Sequence, residues 1–163
     1  MTYKSIVPAV ILFFFSLIFI RCADDKAFVL NESKEFEGQV WKQSDSLSYQ
    51  VDITDTTKRY NLGMTLHHNA DYTYQNIYIM MHTTFPDGKR FSKQVNIDIA
   101  DKSGKWHSDC SGDDCVVEID IQREAFFNQS GKYVFTIEQF TRDIQLENIE
   151  SLGFYIENTG KLR

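Results

Sequence analysis

Proline, cysteine and histidine are all scarce in this chain: two, three and four of them among 163 residues. No proline- or serine-rich stretch divides the sequence, so one domain is expected. Three cysteines are too few for a disulfide-built miniprotein. Four scattered histidines offer little to a metalloenzyme, and H-E-x-x-H, G-x-S-x-G and phosphate-cradling glycine loops are all missing. No enzyme is indicated, and no cofactor. Basic residues are short too, 17 Lys and Arg against 23 Asp and Glu. That excludes a nucleic-acid binder, whose partner's phosphates demand clustered cations. The same balance, taken over the whole domain, opposes electrostatic docking on anionic lipid.

Long apolar runs are missing, with one short exception. Ile6 to Ile20 is apolar, preceded by Lys4 and followed by Arg21-Cys22-Ala23-Asp24-Asp25. At ~1.5 Å per helical residue this run covers ~22 Å, short of a ~30 Å hydrocarbon core. A positive start and a short apolar run have the form of a secretory signal. Cys22, placed directly after it, suggests a lipid attachment point as in bacterial lipoproteins. Arg21 is a bulky cation in a place that a signal peptidase of that class expects to be small. An uncleaved signal anchor, tilted in its bilayer, is therefore the alternative. The chain divides into residues 1–21 as signal, 22–45 as tether and irregular lead-in, and 46–163 as the folded domain. From Cys22 onward 142 residues remain, carrying 15 basic against 23 acidic side chains. A chain near 150 residues buries ~68–70% of its unfolded surface, so a core alone suffices for folding.

What remains is strand-like almost throughout. Leu47, Tyr49, Val51 and Ile53 alternate with polar residues, as do Tyr60, Leu62, Met64 and Leu66. Val117, Ile119 and Ile121, then Tyr133, Phe135 and Ile137, then Leu152, Phe154 and Ile156 repeat this period of two. Ile77 to Met81 is apolar on both faces, which predicts a central strand covered on both sides or one facing a ligand. Pro86-Asp87-Gly88 predicts a hairpin, and Ser103-Gly104 and Ser130-Gly131 two further reversals. Short helical turns are expected over 123–127 and 142–148. The spacing specifies an all-β fold, a single antiparallel β-sandwich that is jelly-roll-like.

Candidate sites are few. Cys110 and Cys115 lie in a polar loop, Asp109 to Cys115, and form a natural disulfide in an oxidising compartment. With His107 and Asp113 or Asp114 they also have the makings of a zinc site, which an exported protein makes the weaker reading. Asp109, Ser111, Asp113 and Asp114 superficially suggest calcium, but the closing Glu and EF-hand spacing are missing; a solvated acidic hairpin fits better. No metal is therefore expected. Trp41 and Trp106 lie in loop-like context and, with Tyr72, are the candidates for exposed rings that stack on sugars, which would make a surface glycan-binding module.

The central block is similar to a known family. Tyr72-Thr73-Tyr74-Gln75-Asn76-Ile77-Tyr78-Ile79, Pro86-Asp87-Gly88, Ile99-Ala100-Asp101, Gly104-Lys105-Trp106 and Gly131-Lys132-Tyr133-Val134-Phe135 resemble the GldH family of gliding-motility lipoproteins of Bacteroidetes. The tail from Leu146 to Phe154 and the plan of signal, cysteine and about 140 residues fit the same family. Arg21 departs from its usual small residue, and the Cys110–Cys115 loop is a local elaboration. The resemblance implies a lipid on Cys22, a place in the cell envelope at the outer membrane, and a structural or assembly part in gliding machinery linked to type IX secretion. Its partners would be other envelope gliding or secretion proteins. It supplies no catalytic residue.

Overall fold

The computed structural model describes residues 27–163, so the signal segment and Cys22 lie outside the described residues. Eleven strands follow in chain order: β1 (Ala27–Glu35), β2 (Val40–Lys42), β3 (Leu47–Ile53), β4 (Lys58–Asn69), β5 (Asn76–Thr84), β6 (Arg90–Asp98), β7 (Asp109–Ser111), β8 (Asp114–Ala125), β9 (Gly131–Gln139), β10 (Gln145–Glu147) and β11 (Ile149–Leu162). All pairings are antiparallel. A five-stranded sheet runs β1-β11-β4-β8-β7 and faces a four-stranded sheet, β3-β9-β5-β6, with β10 and β2 forming a small ribbon of their own. The chain crosses directly between the large sheets after β3, β4, β6 and β8, and by way of the ribbon strands β2 and β10 after β1 and β9. This is the jelly-roll-like sandwich that the alternation demanded.

Each strand buries alternate residues because successive side chains point to opposite faces. β3 shows this most plainly: Leu47, Tyr49, Val51 and Ile53 are buried while Ser48, Gln50 and Asp52 are exposed. The inward faces meet in one core, where Phe154 of β11 lies against Tyr49 of β3 and Phe135 of β9, ring centroids 5.5 and 5.0 Å apart. β5 is central in its sheet, but only one of its faces is covered. Ile77, Ile79 and Met81 are buried, whereas Tyr78 points outward and is exposed.

Three local expectations fail for one reason: partners distant in sequence override short local patterns. Residues 123–125 continue β8, with Ala125 opposite Tyr60 and Glu124 at φ 53°, so no helix forms at 123–127. Within 142–148, Gln145 to Glu147 pair with β2 instead of coiling. The irregular lead-in is regular from Ala27 onward, because β1 completes the edge of the five-stranded sheet beside β11. The reversal at Pro86-Asp87-Gly88 forms as expected; Phe85 N–H donates to the Lys89 carbonyl at 2.8 Å, and Gly88 sits at φ 83°.

The strand ends define two poles. Ala27, the loops 54–57 and 126–130, the 85–89 hairpin and the C-terminal residues gather at one pole. The β7–β8 hairpin, the β4–β5 connection, the ribbon and the loop 140–144 gather at the other. At ~3.3 Å per residue, the 12 residues of β4 separate the poles by about 36 Å.

Candidate functional site

The largest concavity, a groove of about 820 Å³, lies at the pole far from Ala27. Its floor is built where β4 turns into β5. Asn69 folds the chain back, its side-chain oxygen accepting from Asp71 N–H at 2.9 Å and its carbonyl from Tyr72 N–H at 3.0 Å. That turn tucks Tyr72 inward until only 4% of it is exposed. Its ring meets Tyr74 and His68 edge-on, at 5.7 and 6.0 Å. The Tyr72 hydroxyl is buried and has no hydrogen-bond partner among the described residues. Burial pushes its ionisation well above the ordinary tyrosine value, and the neighbouring Tyr74 and Asp143 push it further. It is therefore a neutral hydroxyl held beneath the groove surface, a buried polar group left without a partner.

The opposite wall is the loop 140–144, held by Gln139. This amide is buried and makes three hydrogen bonds: Nε2 donates to the Asp143 carbonyl at 2.9 Å, and Oε1 accepts from Thr141 N–H at 3.0 Å and Thr141 Oγ1 at 2.6 Å. Phe140 N–H donates to the Tyr78 carbonyl at 2.7 Å, and Gln43 Nε2 to the Thr141 carbonyl at 2.9 Å. Tyr74, Tyr78 and Phe140 are the exposed rings at the rim. The Asp143 carboxylate beside the Tyr74 hydroxyl raises the ionisation of that tyrosine. Such a groove can hold an elongated partner through ring faces and amides.

Beside it, His68 is fully buried with both ring nitrogens used: Nδ1 lies 2.9 Å from the Asn69 carbonyl and Nε2 2.6 Å from Ser108 Oγ. A carbonyl only accepts, so Nδ1 carries the proton. Trp106 packs against this imidazole at 4.9 Å. The assembly is a satisfied structural cluster.

Of the residues singled out from sequence, Tyr72 and Trp106 come together on either side of the His68 ring, and the others lie apart from them. Trp41 is fully buried in β2, stacked on Phe36 at 5.0 Å, with Nε1 donating to the Asp45 carbonyl at 3.1 Å. Its loop-like surroundings concealed a plug at one end of the core. Trp106 is half-buried against His68. Tyr72 lies on the groove floor. Trp41, Trp106 and Tyr72 thus form no row of exposed rings, and the sugar-stacking reading built on them is not favoured. Cys110 and Cys115 face each other across β7 and β8 and are joined as a disulfide. Paired so, they offer no thiolate to a metal. Among the described residues no group of three or more His, Cys, Asp or Glu is placed to hold a metal ion. Sequence reasoning passed over Phe140, Gln139 and Asp143. Even-numbered Tyr72, Tyr74 and Tyr78, two or four apart, were the available sign of a shared face.

Fold and site define an all-β domain with an open groove lined by aromatic rings and amides. The family model of the GldH lipoproteins matches residues 28–156, nearly the whole sandwich, and the chain belongs to that family. It is 29% identical over 158 residues to the gliding motility lipoprotein GldH homolog of Christiangramia forsetii, covering 93% of this chain and 96% of the relative. It is 25% identical over 154 residues to the gliding motility lipoprotein GldH of Flavobacterium johnsoniae, covering 90% and 94%. Among solved structures, a part of tripeptidyl peptidase 2 is similar at TM-score 0.42 and 8% identity, spanning 78% of this chain and 10% of that one. That likeness is too slight to bear on activity. Among the described residues no helix is long and apolar enough to cross a membrane.

Proposed function

We propose that this protein is a non-enzymatic structural or assembly component of the gliding apparatus, linked to type IX secretion. A lipid on Cys22 holds it to the membrane, which we take to be the outer membrane. The observation that carries this reading is the extent of the family match, from β1 into β11. What the family shares is the whole sandwich. The role therefore belongs to the folded domain as a unit, and the groove at its far pole is the natural seat for an envelope partner. The exposed rings of Tyr74, Tyr78 and Phe140 at its rim support that assignment.

Deleting the gene should abolish colony spreading or reduce secretion of type IX cargo. Restoring the gene with Tyr74→Ala and Phe140→Ala should return normal protein levels without restoring either. Normal spreading and secretion in the deletion strain would refute the role. Full rescue by the double variant would remove the groove from it.

A further inference from the structure

The net negative charge of the domain conceals a segregation along its long axis. At the pole where the chain enters at Ala27, Lys58, Lys89, Arg90, Lys132, Lys161 and Arg163 outnumber Asp52, Asp55, Asp87 and Glu124. Lys89 pairs with Asp87 at 2.8 Å and Lys161 with Glu124 at 2.7 Å, and Lys132 stands opposite Asp52. Arg90 and Arg163 are exposed and form no ion pair among the described residues. The far pole is acidic on balance: Asp45, Asp71, Asp101, Asp109, Asp113, Asp114, Asp143, Glu147 and Glu150 outnumber Lys42, Lys102, Lys105 and Arg142.

Large apolar side chains are exposed at or just above the same basic pole. Phe126 is 45% exposed and Leu162 66%, and Arg163 lies over the Phe126 ring at 4.3 Å. Phe91, 58% exposed, stands with Phe126 at the mouth of an apolar cleft of about 210 Å³ between the edges of the two sheets. Water-exposed rings beside snorkelling cations are the composition of a surface that sits at a headgroup boundary.

Chain length says what covers it. Cys22 precedes Ala27 by five residues, a span of at most ~18 Å when fully extended. A lipid on Cys22 would keep this pole within that distance of the bilayer, nearer than the ~36 Å between the poles. We propose that the Ala27 pole is a membrane-contact surface. Phe126, Phe91 and Leu162 seat at the headgroup–acyl boundary of the leaflet that holds the lipid, while Arg90 and Arg163 meet its phosphates. The acidic pole and its groove are thereby turned away from the membrane. This rests on the reading that Cys22 is acylated.

The test uses the full chain, acylated in its host and reconstituted into phosphatidylethanolamine–phosphatidylglycerol vesicles carrying brominated phospholipids. Phe126→Trp and, independently, Leu162→Trp should each add emission that the bromine quenches. Ile144→Trp, at the far pole and 77% exposed, should add emission that it leaves untouched. The emission of Trp41 and Trp106 is subtracted with the parent protein. The proposal alone is overturned if the acylated, vesicle-bound Phe126→Trp and Leu162→Trp variants both escape quenching, or if the Ile144→Trp variant is quenched instead. Absence of acyl label on the parent overturns the Cys22 reading and this proposal with it.

Discussion

The Tyr49 hydroxyl donates a 2.6 Å hydrogen bond to the Leu152 carbonyl, fastening a side chain of one sheet to the backbone of the other. The residue is fully buried, and burial, reinforced by Glu32, pushes its ionisation far above the ordinary tyrosine range. It therefore remains a neutral donor at any physiological pH. Tyr49→Phe keeps the ring and loses the bond, so unfolding by urea should show a loss of about 1 kcal/mol. Tyr49→Ala, which also opens a cavity beside Phe154, should cost about 3–5 kcal/mol.

Gln139 supports the groove wall with three hydrogen bonds from one buried amide. Replacing it with Leu strands Thr141 N–H and leaves the Asp143 carbonyl only the Thr141 hydroxyl, 3.2 Å away. A destabilisation of about 2 kcal/mol is expected, with amide exchange accelerated over 140–144 more than in β9.

The Cys110–Cys115 bond ties β7 to β8 at the edge of the five-stranded sheet. Closing a loop of six residues stabilises by about 2 kcal/mol in the chain-entropy model. The double Cys→Ser variant should lose that amount in chemical denaturation and gain exchange over 109–114. Protein denatured without reductant should yield no thiol from either cysteine.

Three aspartates in surface turns make the fold acid-sensitive. Asp55 is held below the ordinary carboxylate range chiefly by the Thr57 hydroxyl, Asp87 by Lys89 and Asp101 by the Ser103 hydroxyl. Each binds its proton more weakly folded than unfolded. Their contribution is present above the ordinary carboxylate value and is lost as pH falls through the depressed ones. Thermal midpoints should therefore decline on acidification through that window, and Asp101→Asn should flatten part of the decline.

The fold was legible where burial follows a local period, as from Leu47 to Ile53. It was hidden where a strand's character depends on a partner about a hundred residues away. Trp41 reads as a loop residue until Leu146 pairs with it across the β2–β10 ribbon. Ile77 to Met81 reads as covered on both faces because Tyr78 and Met80 are apolar, yet Tyr78 faces the groove. The groove needed Gln139 to hold Phe140 and Asp143 over the tyrosines, and nothing in the spacing of one segment reveals what another will cover.

The most direct test of the account is replacement of Cys22 by Ala in the native host, followed by membrane fractionation, acyl labelling and colony spreading. The parent should carry the acyl label and sediment with membranes. The variant should lose the label, leave the membrane fraction and fail to restore spreading or secretion. Unchanged membrane retention of the variant, with no acyl label on the parent, would contradict the account and mark the N-terminal segment as an uncleaved anchor.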